Sequence, residues 1–92
     1  MPRPRGLRRI CFTPGVTYYK PRGIPMSQLK VTELTAEELE ALRLKHVEGL
    51  QQVACAKQMH TSQSTFQRIL SSAQKKLSSA VVHGYAIQIR TK

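Results

Sequence analysis

The amino-acid sequence predicts a mainly α-helical fold with a small β-ribbon built from its two ends. Apolar residues recur at steps of three and four from Phe66 to Val81, the period of a helix that is buried along one side. Thr35 followed by Glu38 forms an S/T-x-x-E capping box, which marks the beginning of another helix. Residues 85–90 instead alternate apolar with small or polar side chains, as a strand does.

The first helix is predicted over residues 34–48. Leu34 and Leu39 occupy the two positions of a hydrophobic staple around the Thr35 cap. Glutamates lie in the first turns and basic residues near the end, which matches the helix dipole, and Gly49 is a favourable stop. The acidic cluster therefore has a structural explanation, and we assign it no catalytic role.

A short second helix is predicted over residues 51–58 and a long third helix over residues 63–83, with Ser62 as N-cap and Gly84 as stop. At 1.5 Å per residue the third helix spans about 30 Å, so we expect its C-terminal half to serve packing or dimerisation. Its apolar stripe comprises Phe66, Ile69, Leu70, Ala73, Leu77, Ala80 and Val81.

One domain is predicted, made of a basic arm over residues 1–33, a helical region over residues 34–84 and a terminal strand over residues 85–92. Within the arm, residues 8–13 are the strand candidate. They are a natural partner for the terminal strand, in the same chain or in a second copy.

The segment from Tyr19 to Pro25 cannot be regular helix, because it holds two prolines and a glycine. It forms either a disordered basic arm or an ordered loop packed by Tyr18, Tyr19 and Ile24. The aromatic and aliphatic content favours the ordered loop, and it favours core packing of the tyrosines over stacking on bases.

The charge pattern points to an anionic partner. The 92 residues carry a net charge of +10, with seven bases and no acid in residues 1–30 and six bases and no acid in residues 51–92. All five acids lie in residues 31–50, which we expect to face away from a polyanion. Nucleic acid is the first candidate for this partner and an acidic membrane surface the second.

The second and third helices have the features of a tight two-helix corner. Ala56 suits the small position where the helices touch, and Gln52 opens the unit. The apolar residues expected to lock the corner are Cys55, Met59, Phe66 and Ile69. Such a helix-turn-helix places the first turns of its second helix in the major groove of DNA.

Four polar side chains are predicted to contact base edges, because glutamine pairs with adenine, arginine with guanine and serine with several bases. They are Gln63, Ser64, Gln67 and Arg68. Phosphate contacts are predicted for Thr61, Ser62, Thr65, Lys57, Lys75, Arg3, Arg5, Arg8 and Arg9. The four arginines are alternatively expected to bind in a neighbouring minor groove. Lys76 adds non-specific attraction. The competing interpretation is a hairpin with a merely solvated face, but such a face usually mixes charges, whereas no acid follows Glu48.

The chain also resembles a known family. Residues 49–77 look like the helix-turn-helix of region four in bacterial sigma factors. The wider sequence is similar to the small prokaryotic family called domain of unknown function 134, described as predicted DNA-binding proteins. The similar blocks include R-P-R at residues 3–5, Y-K-P-R-G-I-P at residues 19–25, L-T-x-E-E-L-E-A-L-R-L at residues 34–44, E-G-L at residues 48–50 and R-I-L at residues 68–70. The resemblance implies a DNA-binding fold, without a known target or ligand.

The sequence departs from the family pattern around the turn. His60 stands where a glycine is usual, which requires a positive φ that histidine tolerates better than most residues. Thr61 replaces an apolar residue and should weaken the packing of the corner. Gln63 replaces an arginine, and Val53 and Ala54 replace acids, so these departures bear on the target sequence and affinity rather than on the fold.

Several other classes of protein are not indicated. No apolar run approaches the ~18 residues of a membrane span, and no apolar segment follows the N-terminal arginines as in a signal peptide, so a cytoplasmic protein is expected. No cofactor or metal is predicted, since Cys11, Cys55 and the three histidines lack ligand spacing, and the cysteines should be reduced and buried. The chain has no aspartate and offers no nucleophile–base pair, so no enzyme is predicted.

The sequence therefore predicts a sequence-specific binder of double-stranded DNA, acting as a transcriptional regulator. A single small module buries only about 600–1,000 Å² on DNA, which favours a homodimer on paired half-sites. The alternative is a protein-interaction module that docks on the transcription machinery, and structured RNA is a third possible partner.

Overall fold

The computed structural model describes residue 15 and residues 17–90, and within them three helices pack against a three-stranded sheet. The helices are α1 (Ala36–Leu42), α2 (Gln52–Gln58) and α3 (Gln63–His83). The strands are β1 (Tyr18–Tyr19), β2 (Val31–Leu34) and β3 (Ala86–Ile89). The mainly α fold with a small β element is confirmed.

The predicted helix ends are confirmed, because each depends on residues within one turn of the chain. The Thr35 side chain accepts a hydrogen bond from the Glu38 amide at 3.1 Å, and Glu38 Oε1 accepts one from the Thr35 amide at 2.9 Å, which completes the capping box. Ser62 caps α3 in the same way. Gly84 ends α3 at a φ of 74°, a left-handed conformation that favours glycine.

The predicted first helix changes its hydrogen-bond pattern near its end. After α1 the chain continues as a π-helical turn, Arg43–Val47, in which the Glu48 amide donates to the Arg43 carbonyl at 2.9 Å. A π-turn stacks residues five apart, so the Arg43 guanidinium reaches Glu48 Oε2 at 3.1 Å while also holding Glu40. Nothing in the local sequence pattern predicted this wider turn.

The terminal strand is confirmed as β3, but it is the centre of a sheet rather than half of a ribbon. It pairs antiparallel with β1 and parallel with β2, with Val31 opposite Ala86. The predicted partner at residues 8–13 lies outside the described residues. β2 was not predicted, because four residues give a short periodic signal and its partner lies at the other end of the chain.

Two hydrophobic clusters form the core. The first joins α1, the π-turn, α2 and the beginning of α3, and its buried members are Ala41, Leu44, Cys55, Ala56, Met59, Phe66 and Leu70. The second joins α3 to the sheet through Leu34, Ala73, Ala80, Ile87 and Ile89. The apolar stripe of α3 is not buried along its whole length, because Leu77 and Val81 are 37% and 71% exposed.

The loop that follows β1 is ordered, but not by the residues expected to pack it. Tyr18, Tyr19 and Ile24 are all exposed, so the prediction of core tyrosines is wrong. Instead the Lys20 ammonium donates to the carbonyls of Ile24 at 2.6 Å and Pro21 at 3.3 Å. A single cation therefore holds the loop through hydrogen bonds to two of its carbonyls, a role that composition alone does not reveal.

Candidate nucleic-acid interface

The candidate site is the corner where a four-residue turn, residues 59–62, joins α2 to α3. His60 has a φ of 56°, as its position in the turn required. The Thr61 amide donates to the Ala56 carbonyl at 3.0 Å and the His60 amide to the Lys57 carbonyl at 3.1 Å. These two bonds are the Schellman pattern, which satisfies carbonyls at the end of α2 and fixes the direction of the chain into α3.

Buried side chains hold the two helices of the corner together. Cys55, Met59 and Phe66 are fully buried and Ala56 almost so, in the positions that the sequence predicted. Ile69 packs against them while remaining partly exposed. Burial raises the pKa of the Cys55 thiol, so this cysteine is a neutral apolar side chain of the core.

The beginning of α3 presents backbone donors as well as side chains. The Ser62 hydroxyl accepts from the Thr65 amide at 3.2 Å and donates to the Thr65 hydroxyl at 2.9 Å. These two hydroxyls, both predicted phosphate ligands, are therefore already paired with each other. No bond among the described residues uses the amides of Gln63 and Ser64, which belong to the orphan donors of a helix N-terminus.

The four predicted base-contacting side chains, Gln63, Ser64, Gln67 and Arg68, are all exposed at the beginning of α3. The carbonyl of Gln63 accepts a hydrogen bond from the Gln52 side chain at 3.4 Å, which links the beginnings of the two helices.

The same face of α3 continues beyond these residues. Ser64, Arg68, Ser71, Lys75 and Ser78 are exposed at steps of three and four, so they lie along one side of the helix. Ser71 was not predicted as a site residue, although its position one turn after Gln67 could have indicated it. The Gln67 amide donates to the Ser71 hydroxyl at 2.9 Å, which leaves the Gln67 amide oxygen and one N–H for another partner.

Three cations lie on this face of α3 or beside it on α2. Within the described part of the chain, Lys57, Arg68 and Lys75 form no ion pair. Lys76, expected to attract phosphate, instead donates to Glu38 Oε1 and to the Glu33 carbonyl, both at 2.9 Å. The position of Lys76 on the helix turns it towards α1 and β2, and its attraction for phosphate stays a prediction.

Two of the acids expected to face away from a polyanion are in fact buried. Glu40 is fully buried beside Arg43, with Oε1 and Oε2 accepting from Nε at 2.8 Å and Nη2 at 2.9 Å. Burial by itself raises the pKa of Glu38. Its carboxylate also accepts hydrogen bonds from the Ser72 hydroxyl, the Thr35 amide and Lys76, and these bonds together with the charge of Lys76 lower the pKa by more than burial raises it. The pKa of Glu38 therefore lies below its usual value, and this carboxylate joins α1 to α3.

Some predicted contacts lie elsewhere. Arg3, Arg5, Arg8 and Arg9 are outside the described residues. Thr61 is half-buried in the turn. Among the described residues, no helix is long and apolar enough to cross a membrane, and no group of three His, Cys, Asp or Glu side chains could hold a metal ion.

These features define a small basic helical protein in which a short helix, a tight turn and a long helix share one core. The chain belongs to the family described as protein of unknown function DUF134, whose family model matches residues 1–91. It is 52% identical over 89 residues to a UPF0251 protein of Moorella thermoacetica, covering 97% of this chain and 60% of that protein. It is 52% identical over 89 residues to a UPF0251 protein of Caldanaerobacter subterraneus, covering 97% of this chain and 75% of that protein.

The chain thus spans 60% of the length of the Moorella thermoacetica relative. A UPF0251 protein of Dehalococcoides mccartyi is also 52% identical over 89 residues, with 97% of this chain and 76% of that protein covered. No solved structure matches this chain. The likeness to region four of sigma factors stays a prediction.

Proposed function

We propose that this protein binds double-stranded DNA in a sequence-specific manner through α3, as a transcriptional regulator. One observation carries the proposal: the outer face of α3 is exposed, polar and basic, and the cations Lys57, Arg68 and Lys75 form no ion pair within the described residues. Acids elsewhere are paired, Glu33 with Arg90, Glu38 with Lys76, and Glu40 and Glu48 with Arg43.

The chemistry of the first turns of α3 suits the reading of base edges. Arg68 offers a planar fork of donors that matches the O6 and N7 acceptors of guanine. Gln63 and Gln67 each offer a donor and an acceptor, the pair that adenine requires. Ser64 is short and tolerant of several bases. A half-site that contains guanine and adenine is therefore the expected target class.

Phosphate contacts are expected on both sides of this reading surface. Lys57 on α2 and Lys75 two turns beyond Arg68 supply cations, and the free amides of Gln63 and Ser64 supply backbone donors at a helix N-terminus. The Ser62 hydroxyl donates its single hydrogen to the Thr65 hydroxyl and must break that bond to donate to phosphate, so Ser62 is the weaker candidate. The Thr65 hydroxyl accepts that bond and keeps its own hydrogen for phosphate. Each lysine contact releases counterions and makes the affinity depend on salt.

The test is fluorescence anisotropy with a pool of mixed-sequence duplexes, titrated with salt. The proposal expects binding that weakens steeply with salt, with a sequence preference that Arg68→Ala reduces by about 1–3 kcal/mol. Arg22→Ala is the matched control, because it removes one exposed arginine from the loop after β1, away from the corner. The control should retain the sequence preference.

Two outcomes would contradict the proposal. If the wild-type protein binds no duplex at low salt, the corner is not a DNA-binding surface, and pull-down against the transcription machinery then tests the docking alternative. If competition shows that duplex RNA of equal length binds more tightly than DNA, structured RNA is the partner. Gln63→Ala complements Arg68→Ala, since both should damage DNA binding and neither needs to damage protein docking.

A further inference from the structure

An apolar groove opens at the end of α3 that is distant from the corner. Its volume is about 390 Å³, and we call it the distal groove. Ile87 and Ile89 of β3 form its buried floor, and Leu39 and Leu42 of α1 line it on one side. Val81 of α3 also lines it and is 71% exposed. The groove is therefore open to solvent, and an apolar side chain projects beside it.

The groove is part of a larger exposed apolar area. Leu77 and Tyr19 line it and are also exposed. A second pocket shares Tyr19, Val81 and Ile87 with the distal groove, so the two are neighbours. Contiguous exposed apolar surface on a small protein usually marks a contact with a partner.

We propose that the distal groove is the surface through which two copies of this chain form a twofold dimer. In a twofold contact the same patch is used on both subunits, so it must be complementary to itself. This patch carries both required shapes, a ridge formed by Leu77 and Val81, four residues apart on α3, and the groove beside that ridge. Rotation of one copy about a twofold axis places each ridge against the other groove.

The charge of the chain also selects this face for self-association. Two copies that each carry a net charge of +10 repel, so they can approach closely only through a surface without cations. None of the described residues that line the distal groove is charged. Lys20 lines the neighbouring pocket, but its ammonium is bonded to the Ile24 and Pro21 carbonyls. A small ligand is less favoured as occupant, because ligand pockets normally include several polar groups that fix orientation, and here the Tyr19 hydroxyl is the only polar side-chain group in the lining.

The position of the groove agrees with the spacing of paired DNA half-sites, a consequence that rests on the proposed function. About 13 residues of α3 separate the middle of Gln63–Arg68 from the middle of Leu77–Val81, roughly 20 Å at 1.5 Å per residue. Two α3 helices that meet at their C-terminal ends would hold their reading segments at most roughly 40 Å apart. Adjacent major grooves on one side of DNA lie about 34–36 Å apart.

The experiment is sedimentation equilibrium of the protein without DNA, at micromolar concentrations. The wild-type chain should show twice the 10.4 kDa mass of one copy. Val81→Asp should weaken the dimer at least about tenfold, because an aspartate at this contact must lose its hydration. Val47→Asp is the control, since Val47 is 77% exposed, also lies in the last turn of a helix and does not line the groove.

A monomeric wild-type protein at the highest concentration would overturn the proposal, and so would a Val81→Asp variant that dimerises as well as Val47→Asp. A monomer that takes up an apolar dye, lost in Leu77→Gln, would identify the groove as a ligand site instead. Circular dichroism confirms that each variant is folded. Because no DNA is present, these outcomes are independent of the duplex titration, and either proposal can fail alone.

Discussion

Replacement of His60 by glycine should stabilise the protein, although it removes a whole side chain. His60 holds a φ of 56° to complete the Schellman pattern between α2 and α3. A left-handed conformation costs a residue with a Cβ atom about 1–2 kcal/mol, and glycine adopts it without that strain. The imidazole is exposed, and none of the hydrogen bonds in the described part of the chain involves it, so the substitution loses little.

The expected magnitude follows from two opposing terms. Relief of backbone strain stabilises the folded state. The greater freedom of glycine in the unfolded chain removes about 0.4–1 kcal/mol of that stabilisation. Histidine tolerates this conformation better than most residues, so we expect the free energy of unfolding to rise by only roughly 0.5–1 kcal/mol. For a domain of this size that raises Tm by roughly 2–8 °C.

The assay is urea denaturation followed by circular dichroism, supported by thermal melting. Gly84→Ala is the mirror control, because Gly84 has a φ of 74° and an added Cβ would meet no atom within 4 Å. It should destabilise by about 1 kcal/mol through backbone strain alone. The reasoning is refuted if His60→Gly unfolds at the same or lower urea concentration than the wild-type protein while Gly84→Ala is destabilised.

Three further outcomes are expected. Because the pKa of Glu38 in the folded state lies below its usual value, the ionised carboxylate, held by Ser72, the Thr35 amide and Lys76, stabilises the fold at neutral pH, and this contribution is lost as the pH falls through the folded pKa. Glu38→Gln should therefore flatten the acid side of a stability–pH curve from urea titrations. Phe66→Ala should lower the free energy of unfolding by about 3–5 kcal/mol, because Phe66 is fully buried, whereas the partly exposed Ile69→Val should cost less; equal losses in denaturation would contradict the described core. Lys75→Ala should reduce the slope of log affinity against log salt by about one in the duplex titration while leaving the sequence preference intact, and an unchanged slope would remove Lys75 from the phosphate contacts.

Much of the candidate site could be predicted from the sequence, because the features that build the corner act over short distances along the chain. Ser62 caps α3 with its own hydroxyl, and Gly84 stops it with its own backbone. The positive φ of His60 was expected from the resemblance, since the family usually has a glycine at this position of the turn. The helical period separates buried Phe66 from exposed Arg68 within one turn. Such features depend on residues at most about one turn away, which a linear pattern contains.

Only the tertiary structure decided which partners these elements find. The pattern of charges predicted only that the acids face away from a polyanion, and the structure shows that Glu38 is buried and paired with Lys76 of another helix. The terminal strand was visible as an alternation, but its parallel pairing with β2 depends on how three intervening helices fold back. The stripe on α3 predicted either packing or dimerisation for its C-terminal half, and only the structure shows that the chain's own elements leave Val81 uncovered.

The physical reason is the same in these cases. Periodicity and capping are local properties, and they determine which residues form a helix and which side of it is apolar. Burial, ion pairing and strand partners instead depend on surfaces that come from distant parts of the chain. The sequence by itself therefore determined α3 and the corner before it. Only the packing of the elements decided which cations lie without an acidic partner among the described residues, and only the packing formed the distal groove.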